Sequence, residues 1–223
     1  MGFIKYFVDH DKQGSFVNKF REKRFGFLKP KLLKLQQQKG NINILDIGGD
    51  IRYWKNVGWD NPNVKIHLLN LYENEISKED SNAFCSIKGN ALDLPFTKGQ
   101  IDLVFSNSVI EHVGSYENQQ KFADEVIKLS DKYIIQTPSL WFPLEPHSLI
   151  PLFQFIPHSI RALLIMTFNI NYFPKAKTYK EALVVSNSTL MFTKKRFQQL
   201  FPDAEIQVES YFGIPKSYTA IHC

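Results

Sequence analysis

Ile42-Asn43-Ile44-Leu45-Asp46-Ile47-Gly48-Gly49 decides the fold. A short, almost unbroken apolar run predicts a strand covered on both faces, as in a parallel sheet. The two glycines that follow predict a turn where backbone can approach a ligand closely. The crevice at the carboxyl ends of such strands is the usual binding place in open α/β sheets. Asp50, Ile51 and Arg52 come next, so the Gly-x-Gly-x-x-Gly pattern of dinucleotide-binding turns is absent. An acid beside the turn repels a pyrophosphate and tolerates a ligand that carries an ammonium group and no phosphate.

Outward from this stretch, strands and helices alternate. Further strands are predicted at Val64–Leu71, Ala83–Ile87, Ile101–Phe105 and Tyr133–Gln136. Helical spacing covers residues 15–39 in two pieces, with Pro30 in the first turn of the second and Gly40 as C-cap. It returns at Ile51–Asn56, at Ser115–Leu129, and at Lys194–Leu200 behind the N-cap Thr193. Two strands, Ala204–Ser210 and Lys216–Ile221, close the chain as a hairpin. This alternation implies a parallel sheet with helices on both faces. Residues 139–179, rich in proline and aromatics, break the rhythm and are expected to form an insertion that caps the site. The organisation read from this is a basic helical segment, residues 1–40, followed by one α/β domain, residues 41–223.

The 223 residues are 43% hydrophobic and 22% charged, which suits a packed core and excludes disorder. Residues 1–40 hold ten basic side chains against three acidic ones, although the whole chain is only +5. Such a leader is either a solvated helix face or a contact for an anionic membrane surface or substrate. Cys85 and Cys223 have neither zinc-site nor disulfide spacing, which points to a reducing compartment. No secretory signal is expected from the first residues. Ser148–Phe168 is apolar and about as long as a membrane span, but Pro151, Pro157, His158 and Arg161 argue against a spanning helix. A cytoplasmic protein is expected, with peripheral contact at the inner membrane face as the variant.

Three motifs occur in order: ILDIGG (residues 44–49), GNALDLPF (residues 89–96) and IDLVFSNSVIEHV (residues 101–113). As a set they resemble class I S-adenosylmethionine-dependent methyltransferases of the type 11 small-molecule group. The resemblance covers roughly residues 42–137, and the closing EIQVESYFGIPKSYTAI is similar too. It implies a Rossmann-like seven-stranded mixed sheet of order 3-2-1-4-5-7-6, the last strand antiparallel. It also implies S-adenosylmethionine as cofactor. By the same resemblance Asp46, Gly48 and Gly49 line the methionine end, Asn70 the ribose, and Asn90 and Ala91 the adenine. Ser106 and Asn107 border the methyl-transfer site. This chain departs from the pattern twice: it lacks a further glycine after Gly49, and Asn70 stands where an acid usually holds the ribose.

Glu111-His112 follows the fourth strand, and His147 lies in the insertion. Either histidine is a candidate general base toward the acceptor. Alternatively Glu111, His112 and His147 share a divalent metal, or Glu111-His112 only starts and packs a helix. The reading adopted is catalytic without a metal. Trp141, Phe142, Phe153, Phe155 and Phe168 line an apolar acceptor pocket or pack a core. The expected reaction is methyl transfer to a hydroxyl, carboxyl or amine of a small molecule, a sugar or a lipid-linked glycan. The rivals are a non-catalytic scaffold with this fold and a nucleic-acid methyltransferase. No nucleic-acid partner is expected, because no interleaved basic and aromatic patch is present.

Overall fold

Apolar residues on alternate sides of each central strand need cover on both faces, and the chain supplies it. The computed structural model describes residues 16–170, 173 and 175–223. Lys5 and Lys12 of the basic leader lie outside them. Helix α1 (Phe16–Lys39) precedes β1 (Ile42–Ile47), α2 (Ile51–Asn56), β2 (Val64–Asn70), β3 (Phe84–Lys88) and β4 (Leu103–Asn107). Then come α3 (Tyr116–Leu129), β5 (Tyr133–Pro138), α4 (His158–Thr167), α5 (Tyr179–Ser186), α6 (Lys194–Leu200), β6 (Glu205–Tyr211) and β7 (Ile214–His222). The sheet order is β3-β2-β1-β4-β5-β7-β6. Strands β1 to β5 pair in parallel, and β7 runs antiparallel to both β5 and β6. This is the expected Rossmann-like order.

Period-two alternation sorts β1 and β4 into two faces. Ile42 and Ile44, with Leu103 and Phe105, pack against Phe25, Leu28 and Leu32 of α1 and Trp54 of α2. Leu45, Ile47 and Val104 pack against Phe122 and Val126 of α3 and Phe197 of α6. In register, Asp46 stands beside Phe105 and Ile47 beside Ser106. Asp46, Phe105 and Asn107 therefore share the α1 face, and Ser106 belongs to the other.

Two helical expectations change. Helix α1 is one piece that passes through Pro30 rather than two. Proline removes one intrahelical bond and crowds the carbonyl four residues back. Here that residue is Gly26. Buried Phe25, Leu28, Leu32 and Leu35 hold both halves on the sheet. Helix α5 was not foreseen. It pairs with α4, and Phe153, Ala162, Ile165 and Ala182 form a small core of the insertion's own. The insertion thus runs on past residue 179 to a parallel bridge between Ser139 and Phe192. Pro157 sits at the N-cap of α4 and starts that helix. Among the described residues no helix is long and apolar enough to cross a membrane.

Candidate active site

Gly48 has φ +71°, a conformation L side chains rarely adopt, and a Cβ there would meet Val109 Cγ2 at 2.4 Å. A Cβ on Gly49 would meet the Asp46 carboxylate at 2.2 Å. Both glycines are thus required by their neighbours. Asp46 is buried, and Trp54 Nε1 donates to its Oδ2 at 2.7 Å. Burial pushes its pKa up to about 8; the Trp54 bond opposes the rise and nearby Asp50 adds to it. Asp50 itself caps α2, accepting from Arg52 N at 2.8 Å.

A cavity of about 240 Å³ opens here, lined by Arg21, Asp46, Gly48, Gly49, Tyr53, Phe105 and Asn107 among others. The Arg21 guanidinium lies 5.9 Å from the Tyr53 ring centroid. Arg24 donates from Nη1 to Asn107 Oδ1 and pairs through Nη2 with Glu209 at 3.2 Å. The basic leader therefore turns two arginines inward, which the charge count did not reveal.

Asp46, Gly48, Gly49 and Asn107 come together around this cavity; Asn70, Asn90, Ala91 and Ser106 do not line it. Asn70 Nδ2 donates to the Gly49 carbonyl at 2.9 Å, so it braces the glycine turn. Asn90 forms an exposed turn, its Oδ1 accepting from Leu92 N at 3.0 Å, and half-buried Ala91 packs against the core. Ser106 is fully buried on the opposite face of β4, and its hydroxyl donates to the Ile47 carbonyl at 3.1 Å. That geometry removes Ser106 from the border of the methyl-transfer site.

The second group of side chains lies just past β4, where a 3-10 turn spans Ile110–His112. Glu111 is fully buried; its Oε2 accepts from Thr137 Oγ1 at 3.0 Å, and its Oε1 has no hydrogen-bond partner. Burial pushes the Glu111 pKa up to about 7. His112 Nε2 and His147 Nε2 are 3.0 Å apart. His112 keeps an exposed edge at the mouth of the site, but its crowded inner side and the neighbouring His147 push its pKa down to about 4. His147 Nδ1 contacts Glu145 Oε1 at 2.6 Å, and the other Glu145 oxygen accepts from Ser148 N. Glu145 was not singled out in the sequence; a carboxylate two residues before a candidate histidine was the available signal. Of the insertion's aromatics, Phe153 is buried in its own core, whereas Trp141, Phe155 and Phe168 are exposed.

Residues 51–131 match the type 11 family described as "Methyltransferase domain". No curated protein sequence matches the chain. Among solved structures, PigF with SAH is 13% identical, with 82% of this chain and 56% of that one covered and a TM-score of 0.48. An O-methyltransferase family protein from Burkholderia thailandensis is 11% identical, covering 91% and 58%, with a TM-score of 0.48. A SAM-dependent methyltransferase from Aquifex aeolicus is 12% identical, covering 82% of both chains, with a TM-score of 0.42. The chain spans less than two thirds of the length of the first two. Residues 51–131 thus carry the match to a methyltransferase domain, and the sheet around them has the Rossmann-like order expected of that fold.

Proposed function

We propose that this protein transfers a methyl group from S-adenosylmethionine to a hydroxyl, carboxyl or amine of a small acceptor, a sugar or lipid-linked glycan being the favoured form. The observation that carries this reading is buried Asp46 at a two-glycine turn, with Arg21 on the wall of the same cavity. A zwitterionic amino-acid end fits such a pair: Arg21 takes its carboxylate, Asp46 its ammonium, and the missing Cβ atoms leave room for backbone approach. Bound there, S-adenosylmethionine supplies an electrophilic methyl group. The acceptor enters from the insertion side over His112 and His147, and exposed Trp141 and Phe155, with ring centroids 6.0 Å apart, suit an apolar portion. Much of the rate then comes from holding acceptor and methyl in line. Free Cys85 and Cys223 accord with a cytoplasmic site of action. Two of the leader's basic residues, Arg21 and Arg24, face the cavity and the sheet, whereas Lys19, Lys23, Lys29, Lys34 and Lys39 stay exposed.

Calorimetric titration with S-adenosylmethionine and its demethylated product tests the reading. One-to-one micromolar binding, about −8 kcal/mol, is expected. No binding by protein shown to be folded would overturn it in favour of a scaffold that has kept the fold.

A further inference from the structure

We propose that Glu111, His112 and His147 form a site for one divalent transition-metal ion, with coordination positions left open toward the acceptor. One ligand atom from each of these residues lies within 4.8 Å of the other two. Glu111 Oε1 is fully buried and has no hydrogen-bond partner, a costly arrangement unless a cation faces it. Its sister oxygen is fixed by the Thr137 hydroxyl at 3.0 Å, which aims the carboxylate. The two imidazole nitrogens sit 3.0 Å apart. Two metal–nitrogen bonds of about 2.1 Å meeting near a right angle set their nitrogens roughly 3 Å apart.

The surroundings supply what a ligand histidine needs. Glu145 at 2.6 Å holds the proton on His147 Nδ1 and turns the Nε2 lone pair toward the cluster. Carboxylate–histidine pairs of this kind orient metal-bound imidazoles and raise their basicity. Thr189 Oγ1 lies 3.5 Å from His112 Nδ1, on the side away from the cluster. Two imidazoles and one carboxylate favour zinc, manganese, iron or cobalt over calcium or magnesium.

This assignment deepens the methyltransferase reading and rests on it for the role of the ion. A Lewis acid there eases loss of a proton from an acceptor hydroxyl. The proton goes to solvent, the oxygen lone pair forms the bond to the methyl carbon, and the sulfur–carbon pair returns to sulfur. The acceptor class narrows accordingly to hydroxyl compounds.

The test is titration of chelator-treated protein with Co2+, followed by visible absorption, with Zn2+ as competitor. One equivalent of Co2+ with d–d bands that Zn2+ abolishes is expected. Glu111→Gln and His112→Asn should each weaken binding at least 100-fold and leave affinity for S-adenosylmethionine unchanged. His112 is at the exposed mouth, so His112→Asn keeps the fold and the comparison stays informative. Glu145→Gln should cost about 10-fold while keeping the stoichiometry. Absence of saturable Co2+ or Zn2+ binding, or binding indifferent to His112→Asn, would overturn the metal site. Loss of cofactor binding with the metal retained would instead overturn the methyltransferase reading.

Discussion

Asp46 and Glu111 are two buried carboxylates at the carboxyl ends of the neighbouring central strands β1 and β4, each with one oxygen on a neutral side-chain donor, Trp54 in one case and Thr137 in the other. Burial raises the pKa of both, to about 8 and about 7. They differ in what stands opposite. Asp46 faces a cavity walled by glycine backbone and an arginine, room for an organic zwitterion. Glu111 stands against two imidazoles, its ligand atom within 4.8 Å of theirs, a spacing that suits a single ion and nothing larger. A shared electrostatic deficit thus meets two differently shaped surroundings, and the two sites proposed above rest on that difference.

The largest effect expected is at Asp46. Asp46→Asn keeps the shape and removes the charge, and should weaken S-adenosylmethionine binding at least 100-fold by calorimetry while leaving Co2+ binding intact; equal loss of both would erase the distinction. Gly49→Ala drives a methyl into the Asp46 carboxylate and should lower stability by about 1–3 kcal/mol in urea unfolding, together with cofactor affinity. Arg21→Ala should raise the cofactor Kd about 10-fold and lower the stability slightly, because the Arg21 contact with the Tyr53 ring is lost as well.

The smallest effect is a pH slope. Asp46 has a folded pKa above its ordinary value, so the folded protein binds the extra proton. The Asp46 contribution to ligand-free stability should fall as pH rises from about 4 to about 8, by at most about 1.4 kcal/mol per unit, with buried Glu111 adding to the fall and His112 opposing it. Asp46→Asn should flatten that fall. Calorimetry of the native protein near pH 7 in buffers of different ionisation heat should show proton release on cofactor binding, as the ligand's ammonium draws Asp46 into its charged form.

The sheet was readable because its central strands are short apolar runs with glycine or polar ends, a pattern that needs no tertiary knowledge. Boundaries drifted where tertiary contacts decide them. β4 begins at Leu103 rather than Ile101, because Asp102 is used as a clamp: its carboxylate accepts from Asn43 N at 2.8 Å and pairs with Lys39 at 2.6 Å. Asp46 and the two glycines were legible, as local turn chemistry is. Arg21 and Arg24 were not, since a charge count carries no direction and ten basic residues along one segment hide the inward pair. Ser106 and Asn107 were read together although strand alternation sends adjacent side chains to opposite faces. Asn70, read toward a ribose, also braces the glycine turn through the Gly49 carbonyl, a contact the sequence could not show. Glu145 gains its meaning only when the insertion folds back over the turn after β4.

The insertion leaves the sheet at Ser139 and rejoins it at Phe192, where the two residues bridge and Leu140 N donates to the Phe192 carbonyl at 2.8 Å. With its exit and return adjacent and its own apolar centre, it is a cassette. A segment so joined can change without rewiring the sheet, so in the function proposed above the acceptor side and the methyl-donor side are built by separable parts of the chain.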